Sequence, residues 1–279
     1  MVTVVFGARG NVARHVAAGL AARGEQVRPT SRAADAESPV PGTAMVAADL
    51  ERPETLPAAL DGAERVFLYA KPDGIDGFVA AAQAAGVRHV VLLSSGAVLS
   101  DASDHNPIGR MHSAVESALV ESGIEWTFLR PGMFATNALW WWQHCIRTQG
   151  VAYATDPESR TAPVHEKDLA ALAVTALTEP GHHGRAYPVW GVEALTLRQQ
   201  VDRIAEAIGR EIAFEAVTAD EARARLSETM PAYGIEPVLA GWAAGTTHPP
   251  DVSAIVEEVT GQPGRSFTQW AIDHADDFR

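Results

Sequence analysis

The chain opens on an apolar run, Val2 to Phe6, that passes directly into Gly7-Ala8-Arg9-Gly10-Asn11-Val12-Ala13 and then into a helix-like segment closing near Arg23-Gly24. A strand that feeds a tight turn and a helix is the first unit of an open α/β sheet. Gly7 would permit the turn, Gly10 would let backbone approach a pyrophosphate, and the small Ala13 would let helix and strand pack closely, with the diphosphate on the helix N-terminus. The spacing is GxxGxxA rather than GxGxxG, so the triplet alone is a weak signal. Its weight comes from context: a strand before it, a helix after it, and a second strand candidate from Gln26 to Ser31. The same residues also fit a glycine-rich turn that binds nothing.

Strand-like segments recur at Val2 to Phe6, Gln26 to Thr30, Ala44 to Ala48, Arg65 to Ala70, His89 to Ser95 and Trp126 to Arg130, with helical or alanine-rich stretches between most of them. Such alternation predicts an α/β fold with a doubly wound parallel sheet covered on both faces. Val90-Val91-Leu92-Leu93 is unbroken apolar sequence, as a buried parallel strand requires. Gly24, Gly86 and Gly123 each close a helical pattern just before a strand. After about Gly150 the pattern changes. A helix begins near Glu166, a strand runs from Ala186 to Trp190, a helix spans Leu197 to Ile208, and a last helix starts at Phe267. The division expected is therefore a dinucleotide-binding domain over 1–150 and a smaller substrate lobe over 151–279, with 186–190 returning to the main sheet. Open α/β sheets bind ligands at the C-terminal ends of their strands, and the lobe is expected over that edge.

At 279 residues the chain can bury a large core without staples. Its one cysteine, Cys145, excludes an intramolecular disulfide, and the opening residues lack a signal-peptide pattern, so a cytoplasmic location is expected. No apolar run approaches the ~20 residues that span a bilayer. The net charge of −13, with no basic tract, argues against nucleic acid, because backbone binding depends on clustered positive charge. No metal is expected: His144-Cys145 and His182-His183 lack further ligands at suitable spacing.

The order and spacing of four segments resemble an NmrA-like member of the atypical short-chain dehydrogenases/reductases. They are Gly7 to Val12; Ala48-Asp49-Leu50; Gly86 to Ser95; and Ser122-Gly123-Ile124-Glu125-Trp126-Thr127-Phe128-Leu129-Arg130-Pro131-Gly132-Met133-Phe134. The resemblance covers roughly the first 180 residues and is looser beyond. It implies a Rossmann fold and a nicotinamide cofactor. Ser31-Arg32 stands where NAD-binding members place an acidic residue; an arginine accommodates a 2′-phosphate, so the resemblance implies NADP(H) over NAD(H). It also implies that Gly7, Ala8, Arg9, Gly10, Asn11 and Val12 hold the diphosphate, that Asp49 and Leu50 flank adenine, that Tyr69, Ala70 and Lys71 lie beneath ribose and diphosphate, and that Ser94 and Ser95 lie near nicotinamide. Plainer roles stay open beside these. Arg32 could open a solvated loop, Asp49 could cap the helix after Pro53, and Ser94-Ser95-Gly96 could simply end a strand.

The wider family uses a Tyr-x-x-x-Lys pair, in which lysine lowers the phenol pKa. Tyr69, Tyr153, Tyr187 and Tyr233 are followed four residues on by Asp73, Pro157, Gly191 and Pro237, so the pair is missing. His112 and Glu116 stand one turn apart on the helix where it would sit, and are the candidate acid/base dyad, with a surface pair as the alternative. Successive helical residues lie ~100° apart, so Trp140-Trp141-Trp142 cannot all face one core. Met133, Phe134, Asn137 and one of Trp140 or Trp141 are expected to wall a pocket for a flat, apolar or aromatic small molecule. The reading that results is an NADP(H)-dependent oxidoreductase acting on a small quinone, carbonyl or aromatic intermediate. Its rivals are an NADP-binding sensor without turnover and a non-redox cyclase or isomerase on the same scaffold. The oligomeric state is left open.

Overall fold

The computed structural model describes residues 1–33, 37–99, 106–248 and 250–279. Its strands are β1 (Val2–Val5), β2 (Gln26–Ser31), β3 (Val46–Ala47), β4 (Ala63–Tyr69), β5 (His89–Leu93), β6 (Glu125–Pro131), β7 (Val151–Ala154), β8 (Arg160–Thr161), β9 (Arg185–Val189), β10 (Leu195–Thr196) and β11 (Ala213–Ala216). Its α-helices are α1 (Ala13–Ala22), α2 (Leu56–Leu60), α3 (Ile75–Ala85), α4 (Pro107–Glu121), α5 (His144–Gln149), α6 (Glu166–Thr178), α7 (Leu197–Ile208), α8 (Ala219–Leu226), α9 (Ala232–Gly245), α10 (Ile255–Thr260), α11 (Phe267–Asp273) and α12 (Ala275–Phe278).

Seven strands form the main sheet in the order β3-β2-β1-β4-β5-β6-β9. β1 pairs in parallel with β2 and β4, β2 with β3, β4 with β5, and β5 with β6. This is the doubly wound order that reverses beside β1, the point at which such sheets bind dinucleotides. β9, Arg185–Val189, is the strand beside β6, and the third strand is only the two residues of β3.

Alternation explains the layers. Val4, Val66, Leu68, Val90, Leu92 and Phe128 join Phe78, Val115 and Leu119 in one buried cluster on one face of the sheet. On α1, Gly19 allows close approach to α6: an added Cβ would lie 3.0 Å from Val174 Cγ2. Gly86 ends α3 in the left-handed region, at φ 76°, where any other residue would be strained.

The chain forms two compact units, and the boundary differs from the expected one. The first comprises 1–131, 166–188 and 255–262; the second comprises 132–165, 189–254 and 263–279. The shift from residue 150 to residue 131 has a packing cause. Trp142 and Ile146 are fully buried in a core with Trp242, Trp270, Phe267 and Phe278, so the segment after β6 belongs with the later helices. That second core is framed by β7 paired with β11 in parallel and β8 with β10 antiparallel. Three helices were not read from the sequence: α8, α9 and α10.

Candidate active site

The turn after β1 is held by backbone. Ala8 donates to the Thr30 carbonyl (2.9 Å), Gly10 to the Gly7 carbonyl (2.7 Å) and Arg14 to the Gly10 carbonyl (3.1 Å). Gly7 has φ 62°, and a Cβ there would lie 3.0 Å from Tyr69 Cε1, so the Tyr69 ring packs directly on the turn. A Cβ at Gly10 would meet the Gly7 carbonyl oxygen at 3.2 Å. Gly10 and Asn11 are exposed while Ala8 and Val12 are buried. The start of α1 carries no acidic residue in its first turn and no side-chain cap. A favourable helix dipole and a glycine floor suit a dinucleotide diphosphate.

Beside this turn lies an open groove of about 650 Å³ lined by Ala8, Arg9, Arg14, Ala33, Glu37, Ser38 and Pro39. Arg32 is exposed at the end of β2, next to this lining, and the Ser31 hydroxyl accepts from the Ala33 N–H at 3.3 Å. Arg14 was missed from the sequence. A basic residue in the first turn of α1, two positions past Val12, was the available signal.

The remaining cofactor candidates divide. Asp49 shapes a turn: its Oδ1 accepts from the Glu51 N–H (3.1 Å), and its own N–H donates to Thr55 Oγ1 (3.0 Å). Leu50 is a correction. Its side chain is buried in the core cluster, and its carbonyl abuts Gly74, so it presents no apolar side chain to a ligand. Tyr69 and Ala70 are half-buried. Burial pushes the Tyr69 phenol up, with Asp49 adding to the shift and Arg32 and Lys71 opposing it, so these groups share one electrostatic neighbourhood. Lys71 pairs with Glu51 (3.2 Å) and Asp73 (3.6 Å), and chiefly the bond to Glu51 raises its pKa.

At the ends of β5 and β6 the structure overturns the dyad. Glu116 is buried and accepts from Ser94 Oγ (2.5 Å), Arg130 Nε (3.0 Å) and Arg130 Nη2 (2.6 Å). It makes no hydrogen bond to His112. The fork of Arg130 matches both carboxylate oxygens, which a half-buried imidazole one turn away cannot do. His112 Nδ1 instead lies 2.8 Å from the Ile108 carbonyl, which can only accept, so Nδ1 carries the proton. Burial, opposed by that bond and more weakly by Glu116, lowers the His112 pKa. The imidazole is therefore neutral near pH 7, with its lone pair on Nε2. Ser94 is buried with its proton committed to Glu116, while half-buried Ser95 accepts from the Ala97 N–H at 3.2 Å.

In the second unit, Met133 and Phe134 run beside Val164: Val164 donates to the Met133 carbonyl (2.8 Å) and Ala135 to the Val164 carbonyl (2.9 Å). Met133, Phe134 and Asn137 are half-buried. The tryptophans sit on a π-helical turn, Leu139–Gln143, where an ordinary α-helix was expected. Trp142 is fully buried and donates to the Tyr153 carbonyl (3.1 Å); Trp140 is 45% exposed. Trp141 is buried edge-on against Trp242 and lines a narrow slot with Tyr153, Cys145 and Leu226. Trp141 and Trp142 thus share one core, meeting edge-on at 5.5 Å, and Trp140 alone of the three faces outward. Among the described residues no helix is long and apolar enough to cross a membrane.

Comparison with known proteins bears on the phosphate turn and the sheet order together. A family described as NAD(P)H-binding matches residues 7–180. The chain belongs to this family. It is of the NmrA-like, atypical short-chain dehydrogenase/reductase type. It is 39% identical to the (4-alkanoyl-5-oxo-2,5-dihydrofuran-3-yl)methyl phosphate reductase of Streptomyces griseus, over 99% of this chain and 98% of that protein. Identity to the NAD(P)H azoreductase of Xenophilus azovorans is 35%, over 84% and 83%. The NADPH-dependent quinone oxidoreductase of Escherichia coli complexed with NADPH shares the fold, with a TM-score of 0.78 at 22% identity, covering 97% of this chain and 98% of that one.

Proposed function

We propose that this NAD(P)H-dependent oxidoreductase prefers NADPH and reduces small, flat, conjugated acceptors of the quinone type. Cofactor preference rests on the groove beside the phosphate turn. Arg9 and Arg14 line it together with Glu37, Arg32 stands at its edge, and the position directly after β2 is this arginine in place of an aspartate or glutamate. A 2′-phosphate finds charge-assisted partners there, whereas a ribose 2′-hydroxyl lacks its usual carboxylate.

The acceptor class is carried by one observation: His112 Nδ1 is held 2.8 Å from the Ile108 carbonyl, while burial disfavours a second proton on the ring. Such an imidazole has no proton at Nε2 to donate. Tyr69 is a poor replacement as the acid, because burial raises its pKa and the lysine partner that would lower it is missing. Bound NADPH supplies the hydride. An acceptor whose oxyanion is stabilised by conjugation can wait for a proton from solvent, and His112 Nε2 orients that water by accepting one of its hydrogens. A saturated ketone, whose alkoxide is strongly basic, needs a proton donor that these residues do not provide. The reductase and azoreductase names of the relatives, and the quinone oxidoreductase name of the structural neighbour, agree with this reading.

The test is NADPH oxidation against matched panels of quinones and saturated ketones, with wild type and His112→Ala. Quinones should turn over and ketones should not, and the variant should lose roughly threefold to tenfold, well short of the roughly 10²–10⁴-fold typical of a lost general acid. Ketone turnover that collapses in His112→Ala would refute the reading.

A further inference from the structure

The Glu116–Arg130 pair invites a question that its role in packing does not answer. Its side chains are only 9% and 22% exposed, so both charges have given up most of their water. Replacing a buried pair of this kind by apolar residues is often neutral for stability, because desolvation offsets the attraction. What the pair supplies is direction. A guanidinium fork and a carboxylate meet in essentially one geometry, and here Ser94 Oγ adds a third bond, at 2.5 Å. Ser94 directly follows β5, and Arg130 lies one residue from the end of β6. Both strand ends are therefore tied to one point on α4. They are also close to each other: Ser94 N–H donates to the Leu129 carbonyl (2.8 Å), and a Cβ on Gly96 would lie 3.1 Å from the Pro131 carbonyl oxygen. One turn before Glu116, on the same side of α4, is His112.

We propose that Glu116 is a positioning residue: held by Arg130 and Ser94, it fixes the turn of α4 that carries His112 at a set distance from the C-terminal ends of β5 and β6. The Ile108 carbonyl selects the tautomer of the imidazole, and the clamp selects its place. Glu116 is also the charged group that acts on His112, favouring its protonated form against burial. The catalytic consequence rests on the proposed reductase function; the placement of His112 does not.

The decisive variant is Ser94→Ala/Glu116→Met/Arg130→Met, which removes every charge and hydroxyl of the clamp together and leaves no orphan behind. Thermal stability should stay close to wild type. The His112 imidazole resonances should move, and their titration midpoint should fall. Turnover with a quinone should drop by the same factor as in His112→Ala, and adding His112→Ala should cost nothing more, since the two changes act through one group. If the triple variant does not fold, Glu116→Gln is read by the same titration. Unmoved His112 resonances, or losses that simply add to those of His112→Ala, would overturn the proposal. A wild type without turnover whose His112 nevertheless shifts in the variants would refute the reductase and keep the clamp.

Discussion

Acidification should weaken this protein most strongly through one buried histidine. His89 opens β5 and is 4% exposed. Thr127 spends its hydroxyl proton on the His182 carbonyl (2.7 Å), so its oxygen accepts from His89 Nε2 (2.9 Å), and His89 is held as the neutral Nε2–H tautomer. His183 stacks on it at 4.5 Å and pairs with Glu125 (2.5 Å). Burial first, then the charges of His183, His182 and Arg65, hold its pKa down from 6.5 to about 4. The unfolded chain therefore binds a proton at a pH where the folded one refuses it. Stability from this group is complete above about 6.5 and is lost as pH falls from 6.5 toward 4, by about 3 kcal/mol. Against a total of roughly 5–15 kcal/mol that is a large fraction.

The assay is urea unfolding of wild type and His89→Phe between pH 7 and pH 4. Phenylalanine keeps the stacked ring and cannot titrate. It loses the bond to Thr127 at every pH, so the variant should start lower and fall less. The difference in unfolding free energy should change by about 3 kcal/mol across the range, nearly all of it below pH 6.5. Parallel curves would refute the reasoning, since they would place the acid sensitivity in other groups.

Four further substitutions probe the proposed cofactor site. Gly10→Val should abolish NADPH binding while shifting the melting temperature little, because its Cβ meets the Gly7 carbonyl oxygen at 3.2 Å and the rest of the side chain fills the exposed phosphate seat; cofactor titration beside thermal melting checks both. Arg9→Ala, Arg14→Ala and Arg32→Ala should each lower NADPH affinity by roughly tenfold to a hundredfold and leave NADH binding nearly unchanged, as expected for one charge-assisted bond of about 1.5–3 kcal/mol to the 2′-phosphate. Equal losses for both cofactors would mean that the arginines do not read that phosphate.

Much of the first unit was legible because buried parallel strands advertise themselves. Val90-Val91-Leu92-Leu93 has no polar interruption, and Gly86 marks its approach with a left-handed conformation that favours glycine over other residues. The second unit was harder. α8 and α9 pack by shape around Trp242 and Met230, and Pro237 inside α9 reads as a breaker, yet the helix continues through it. The boundary was misplaced for a related reason: Gly150 does end a helix in the left-handed region, but that helix is already inside the second unit.

The site shows the same limit more sharply. Spacing along α4 places His112 and Glu116 on one face, and from that alone a dyad is the natural reading. What decides between a dyad and a clamp is a third residue, Arg130, fourteen positions away on another strand, whose fork reaches Glu116 at 2.6 and 3.0 Å. Periodicity can nominate two groups on one element but cannot rank them against a partner on the next. A buried carboxylate goes to the partner that satisfies both of its oxygens, and a guanidinium does so where an imidazole offers one nitrogen. An i, i+4 histidine and glutamate on a helix followed by a strand that ends in Arg-Pro should therefore be read with the arginine included, and the histidine's tautomer sought from the backbone carbonyl one turn before it. Here that carbonyl belongs to Ile108, and it turns a presumed proton donor into an acceptor.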